Sequence, residues 1–298
     1  MGERIFKSVN NKYKGILYII ISSFCFALMS MFVRLSGDLP SIQKSFFRNL
    51  VAFIVASIML IKNGEKLKIK GESLKYLILR ATFGTIGILC NFYAVDKLLL
   101  SDANMLNKLS PFFAIIFSYL ILKEKITLFQ GSAVSIAFIG SLFVIKPSFV
   151  NMNFVPSLIG LCGGIAAGLA YTLVRKLGEL GVKGVFIVFF FSGFSCLVTL
   201  PFLIFDYHIM SISQIIFLLL AGISATGGQF FITSAYCHAP AKEISVFDYS
   251  QILFSAILGF IVFNQTPDIL SFTGYAIIIS VAVLMYLNNV KGLFKNKR

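Results

Sequence analysis

The sequence predicts an all-α membrane protein, with ten transmembrane helices arranged as two inverted units of five. Three observations carry that prediction. Of the 298 residues, 58% are hydrophobic and only 13% are charged, and the mean hydropathy is +0.90; a soluble domain is roughly half apolar and a quarter charged. Ten segments reach the ~20 apolar residues that a bilayer crossing needs, at 15–35, 42–61, 75–95, 100–122, 127–145, 157–177, 185–205, 213–236, 243–263 and 269–287. Their joins are too short to build a soluble domain. Finally, the run NFYAVDKLLLSDANMLNKLSPFFAIIFSYLILKEKITLFQG is echoed by TSAYCHAPAKEISVFDYSQILFSAILGFIVFNQTPDILSFTG in the second half. Five spans per unit is an odd number, so the second unit enters the bilayer in the opposite sense to the first. Inverted units of this kind create a site at their interface.

The organisation that follows is a basic tail at 1–14, a first unit at 15–146, a second at 157–288 and a basic tail at 289–298. A net charge of +14 could suggest a nucleic-acid partner, but the placement of the charges accounts for it differently. Nineteen lysines and arginines fall on one side of the ten spans, including Lys66, Lys68, Lys70, Arg175 and Lys183; only Lys44, Lys97 and Lys146 fall on the other. That asymmetry predicts a multi-pass protein of the cytoplasmic (inner) membrane with both termini cytoplasmic, and no nucleic acid is required. The five cysteines lack a CxxC pair and are expected to be small core residues, with no disulfide and no metal site. The first basic stretch leads into a full-length apolar run without a cleavage site, so it reads as a retained span.

Taken in order, the first span ends at Arg34, placed to snorkel toward the interface. The second carries Arg48 about two turns in, either snorkelling to a carbonyl or lining a cavity. In the third, Arg80, Gly84, Gly87 and Asn91 recur on one helical face; the glycines suit close packing, with Arg80 expected at the boundary. Asn91 and Tyr93 are the better cavity candidates, because an amide and a phenol can hydrogen-bond a ligand in an apolar wall. The fourth span is the most polar. Asn104, Asn107 and Lys108 share a face, and Pro111 removes a backbone hydrogen bond and is expected to break the helix. A polar stripe beside a break is how carriers build a site near the midplane; the alternative is an internal Asp102–Lys108 pair. The fifth span reads as scaffold.

In the sixth span Gly160, Gly164, Gly168 and Thr172 form a small-residue packing ridge, with Tyr171 a cavity candidate beside it. The seventh is almost wholly Phe, Val and Leu and is expected to face lipid. The eighth holds Gly227, Gly228 and Gln229, the last offering both a donor and an acceptor. The ninth carries Asp248 deep in an apolar run, a placement that normally marks a bundle interior or a wet cavity. Ser245, Asp248 and Gln251 lie roughly on one face, with Tyr249 beside them. If the units are inverted, the fourth and ninth spans face each other and bring the Asn107 region near Asp248. The tenth span reads as scaffold, and His208 and His238 sit at interfaces with no role assigned.

The segments LRATFGTIGILCNFYAV, LSDANMLNKLSPFFAIIFSYLILKEKIT and APAKEISVFDYSQILFSAILGFIVFNQTPD together resemble the EamA domain family of the drug/metabolite transporter superfamily, as two units over essentially the whole chain. The resemblance implies a ten-helix carrier with a central cavity between the units, moving a small organic metabolite or drug. Within the superfamily it is similar to members for S-adenosylmethionine or riboflavin. The family's Gly-Glu after the fourth and ninth spans is replaced here by Lys123-Glu124 and Asn264-Gln265, and Ile252 stands where the second unit would carry the proline.

The expected function is therefore a secondary transporter for a polar or zwitterionic metabolite, amino-acid-like, S-adenosylmethionine-like or flavin-like. Its substrate-binding set is Asn91, Tyr93, Asn104, Asn107, Lys108, Tyr171, Gln229, Asp248, Tyr249 and Gln251. A desolvated Asp248 is a candidate carrier of a coupling proton; its alternative is a permanent ion pair with Lys108 or Arg80. No cofactor is expected, and the sequence has no GxxxxGK[ST] loop for direct use of ATP. An intramembrane enzyme needs convergent catalytic groups, and the sequence has no HExxH and only peripheral histidines. A passive channel is the remaining alternative.

Overall fold

The computed structural model describes residues 2–63, 71–98, 100–147 and 154–295. The lysine-rich join at 64–70, the side chain of Asp102 and the side chains of the two extreme tails lie outside the described residues. Among the described residues, ten helical segments are long and apolar enough to cross a membrane. They are α1 (Gly2–Leu35), α2 (Ser41–Lys62), α3 (Gly71–Lys97), the broken fourth span α4 (Leu100–Asn107) and α5 (Ser110–Leu122), and α6 (Leu128–Ile145). The second unit has α7 (Phe154–Glu179), α8 (Gly184–Phe205), α9 (Ile212–His238), a ninth span in pieces, and α12 (Ile269–Lys295). Those pieces are α10 (Ala241–Ile244), a 3-10 segment (Ser245–Tyr249) and α11 (Ser250–Phe263). The stretch predicted as a basic tail is helical from Gly2 and runs straight into the first span.

The two broken spans are broken by different chemistry. Pro111 occupies the first turn of α5, where its missing N–H costs nothing. The interruption falls just before it, at Lys108–Leu109, because a proline ring clashes with the carbonyl four residues back and ends a helix arriving from its N-terminal side. The chain tightens there, with the Leu109 N–H donating to Leu106 O at 3.3 Å. The ninth span has no proline and passes instead through the 3-10 turn that contains Asp248.

Both spans then end alike. Lys123 and Asn264 sit in the left-handed region, at φ 56° and 53°, and the N–H groups of Glu124 and Gln265 reach back to Ser118 O and Gly259 O at 3.4 and 3.1 Å. This is the helix stop that glycine makes most easily, and it explains the departure from Gly-Glu. Asparagine tolerates the conformation, whereas lysine adopts it at a cost of roughly 1–2 kcal/mol.

Packing is dominated by contacts between the units. The first span packs along the eighth (α1 on α9) and the third along the sixth (α3 on α7), two pairings that an inverted repeat makes equivalent. The second span packs on the seventh (α2 on α8) and the fifth on the tenth (α6 on α12), each its own equivalent. The sixth span covers the break of the fourth, and the first span covers the ninth. Small residues allow these approaches. A Cβ on Gly168 would lie 2.8 Å from both Ala114 N and Ser110 O, and one on Gly164 would lie 2.5 Å from Leu106 O. Thr172 adds a hydrogen bond to Ala114 O at 3.2 Å. The glycine ridge of α7 is thus a packing ridge, seated on the broken span.

Two expectations change. The seventh span is not simply lipid-facing: Phe186, Ile187, Val188, Phe191 and Ser195 of α8 are buried against the other unit. A helix that is apolar on every side gives no sign of which side the protein covers. The cysteines are free, and none is fully buried, Cys162 being exposed.

Candidate functional site: a cationic cavity between the units

A cavity of about 170 Å³ lies at the interface, drawing residues from α1, α2, α3, α7, α8, α9 and the two broken spans. Its polar lining consists of Arg48, Arg80, Asn91, Asn107, Tyr171, Gln229 and Gln251; Phe26, Phe191 and the glycines of α3 and α7 supply much of the rest. Arg80 is only 3% exposed, and its guanidinium lies 4.1 Å from the Phe191 ring centroid. That position exists because Gly84, one turn on, has no side chain: a Cβ there would strike both Arg80 Nη1 and Phe191. Arg48 lies over Phe26 at 5.8 Å.

Beside the cavity the two helix breaks are laced together. Lys108 Nζ donates to Asp248 Oδ2 at 3.2 Å and to Gln251 Oε1 at 2.7 Å, and the Tyr249 hydroxyl donates to Lys108 O at 3.0 Å. The Lys108 and Asp248 side chains are 12% and 10% exposed. Ser23 Oγ of the first span contributes a longer contact to Asp248 O, 3.4 Å. Lysine and carboxylate each satisfy the other, which makes burial of both tolerable.

Polar contacts between the units also close both ends of the bundle. On the lysine-rich face Lys12 pairs with Glu243 at 3.1 Å, Arg175 Nε lies 3.5 Å from Glu124 Oε1, and Lys242 Nζ donates to Lys125 O at 2.7 Å. On the opposite face Gln43 exchanges hydrogen bonds with the His208 backbone at 2.9 and 3.0 Å. Arg34 lies over Phe263 and donates to Gln265 at 2.8 Å when the amide oxygen is turned toward it. Lys146 pairs with Asp268 there as well. The residue that follows the left-handed cap of each broken span, Glu124 or Gln265, thus meets an arginine from the other unit's first span.

Comparison with known proteins agrees with this architecture. The family model for the EamA-like transporter family matches residues 13–146 and 155–287. The chain belongs to that family. Among the relatives of this EamA protein are an uncharacterized transporter of Helicobacter pylori, 30% identical over 92% of this chain and 94% of its own length, and the pseudopaline exporter CntI of Pseudomonas aeruginosa, 30% identical over 93% and 97%. A riboflavin transporter of Vibrio cholerae is 26% identical over 91% and 92%. A solved crystal structure shares the fold at a TM-score of 0.80 and 14% identity, over 93% of this chain and 98% of that one.

The EamA fold brings together Asn91, Asn107, Tyr171, Gln229 and Gln251 from the predicted set as cavity lining. Lys108 and Asp248 stand behind that wall as a mutual pair, and Tyr249 is fully buried as a strut between the breaks. Tyr93 is 40% exposed and Asn104 is also exposed; neither lines the cavity. Tyr93 is two residues from the lining Asn91 and so heads to another side of the helix, whereas Asn104 shares a side with Asn107 but sits one turn away along it. Among the described residues Lys108 pairs with Asp248; the Asp102–Lys108 alternative falls on a side chain that lies outside them. Arg80, expected at the boundary, belongs to the cavity of this EamA protein together with Arg48. The signal for it was Gly84, four residues on, which can vacate space for a guanidinium as well as for a neighbouring helix.

Proposed function

We propose that this protein is a secondary transporter that carries a small polar organic metabolite across the cytoplasmic membrane by alternating access, with its lysine-rich face in the cytoplasm. The observation that carries the reading is the partly open polar cavity between two inverted units. Substrate bound there would be released to either side as the units rock. Closure at each end by side-chain contacts between the units supports the same reading, because a rocking motion must break one set while keeping the other. The lining residues Asn91, Asn107, Tyr171, Gln229 and Gln251 would bind the substrate, and the Lys108–Asp248 pair would couple the two broken spans so that they move together. A proton carried by Asp248 would require that pair to open in another state; its exchange with Lys108 is the coupling step this geometry favours.

The test is transport by purified protein in proteoliposomes, with labelled amino acids, dicarboxylates, S-adenosylmethionine and riboflavin each offered against the same unlabelled compound inside. A carrier gives saturable uptake stimulated by internal substrate. Uptake that rises linearly and ignores internal substrate would establish the channel alternative, and covalent conversion of any compound would establish an enzyme. Asp248→Asn is expected to abolish uptake; full, pH-dependent uptake by that variant would remove Asp248 from coupling.

A further inference from the structure

The two arginines of the cavity lack what a buried cation needs. Arg80 Nε and Nη1 and Arg48 Nε are shielded from solvent and make no hydrogen bond. Neither arginine has an acidic partner among the described residues, where the ion pairs engage Lys12, Lys108, Lys146, Arg175 and His208 instead. No aspartate or glutamate among the described residues lines the cavity, and the buried carboxylate of Asp248 is taken by Lys108. The Phe191 and Phe26 faces attract the guanidinium groups, but a ring quadrupole offsets only part of the desolvation of a full charge. Gln229, which lines the same cavity, has a buried Oε1 that accepts no hydrogen bond among the described residues. The residues that line the cavity therefore carry unsatisfied cationic donors and one unsatisfied neutral acceptor, each covered by neighbouring atoms in this conformation.

We propose that the carried metabolite is an organic anion, its carboxylate held by Arg80 and Arg48 and a hydroxyl, amine or amide donor of the same molecule received by Gln229. Guanidinium groups suit this task because their planar fork matches a carboxylate in two parallel hydrogen bonds. The cavity is partly open, and its volume, about 170 Å³, corresponds to roughly half a dozen water-sized groups, room for a compact organic acid. The arrangement also departs from the zwitterion reading of the sequence, because the lysine and aspartate that suggested it neutralise each other. The inference rests on the carrier reading for its biological meaning, but the site itself is testable without transport.

The experiment measures binding of glutamate and malate to the purified protein by calorimetry, with glutamine, lysine and riboflavin as controls and with chloride and inorganic phosphate as simple anions. Glutamate or malate is expected to bind at least tenfold more tightly than glutamine or lysine, and Arg80→Gln and Arg48→Gln each to weaken that binding at least tenfold. The ligand-free Arg80→Gln protein is expected to melt no lower than the parent, since it loses an unpaired buried charge; a purely structural arginine would lower the melting temperature. Arg80→Lys, which keeps the charge but loses the fork, should fall between parent and Arg80→Gln in affinity. Equal affinity for chloride, phosphate and the acids, tightest binding by a neutral or cationic control, or unchanged affinity in Arg80→Gln would overturn the proposal. Acid binding without counterflow in proteoliposomes would keep this site and remove the carrier reading. Counterflow of riboflavin alone would do the reverse.

Discussion

Replacing Lys108 by methionine tests whether the two helix breaks are held together electrostatically. Methionine fills similar space but removes the contacts to Asp248 Oδ2 at 3.2 Å and Gln251 Oε1 at 2.7 Å. Hydrogen bonds between membrane helices average only about 0.6 kcal/mol in double-mutant cycles, so the Gln251 contact is the minor loss. The larger one is Asp248, whose side chain is 10% exposed and would be left as an uncompensated charge; breaking a buried pair from one side costs about 3–5 kcal/mol. Lys108→Met should therefore lose about 3 kcal/mol or more. Lys108→Met with Asp248→Asn removes both charges and should return to within about 1–2 kcal/mol of the parent, since a buried pair is often nearly neutral overall. Unfolding in mixed detergent–SDS micelles, monitored by far-ultraviolet circular dichroism, measures all corners of this cycle. A loss below about 1 kcal/mol in Lys108→Met, or a double variant no more stable than the single one, would refute the idea that the pair ties the breaks.

Other positions give independent outcomes. Gly168→Ala brings a methyl to 2.8 Å from two backbone atoms of the fourth span, and overpacking of this kind should cost about 1–3 kcal/mol in the same unfolding assay. Lys123→Gly should stabilise by up to about 1 kcal/mol by relieving the left-handed conformation at φ 56°, and Lys123→Val should destabilise. On the face opposite the lysine-rich one, the Lys146 ammonium and the Ser271 N–H and hydroxyl hold the Asp268 carboxyl down at about 2, below its ordinary 3.8. A depressed carboxylate contributes above its unfolded value and loses that contribution as pH falls through the folded one. The melting difference between parent and Asp268→Ala should thus be constant from pH 7 to about 4 and shrink as pH falls toward 2. Asp268→Asn should keep the contribution of the cap to Ser271 and lose only that of the Lys146 pair.

The candidate site was partly readable from the chain. Asn91, Asn107, Tyr171, Gln229 and Gln251 stand out because amides and phenols are conspicuous in apolar runs, and each lines the cavity. Tyr93 and Asn104 stand out for the same reason but are exposed and do not line the cavity, because residue type does not reveal which way a helix is turned when lipid and protein are equally apolar. Arg80 was harder. A cation near a span's end usually snorkels, and only the space vacated by Gly84, beneath a ring contributed by α8, lets its guanidinium turn inward.

The sequence alone determined ten crossings, two units and their opposite senses, because bilayer crossing is a test each segment passes by itself and an odd number of crossings must invert the repeat. Only the tertiary structure decided that Lys108 answers Asp248, 140 positions further along the chain, and that Arg48 and Arg80 answer no acid among the described residues. Partner choice is settled by which faces of distant helices meet, and the glycines and breaks that set those meetings act through space rather than along the chain.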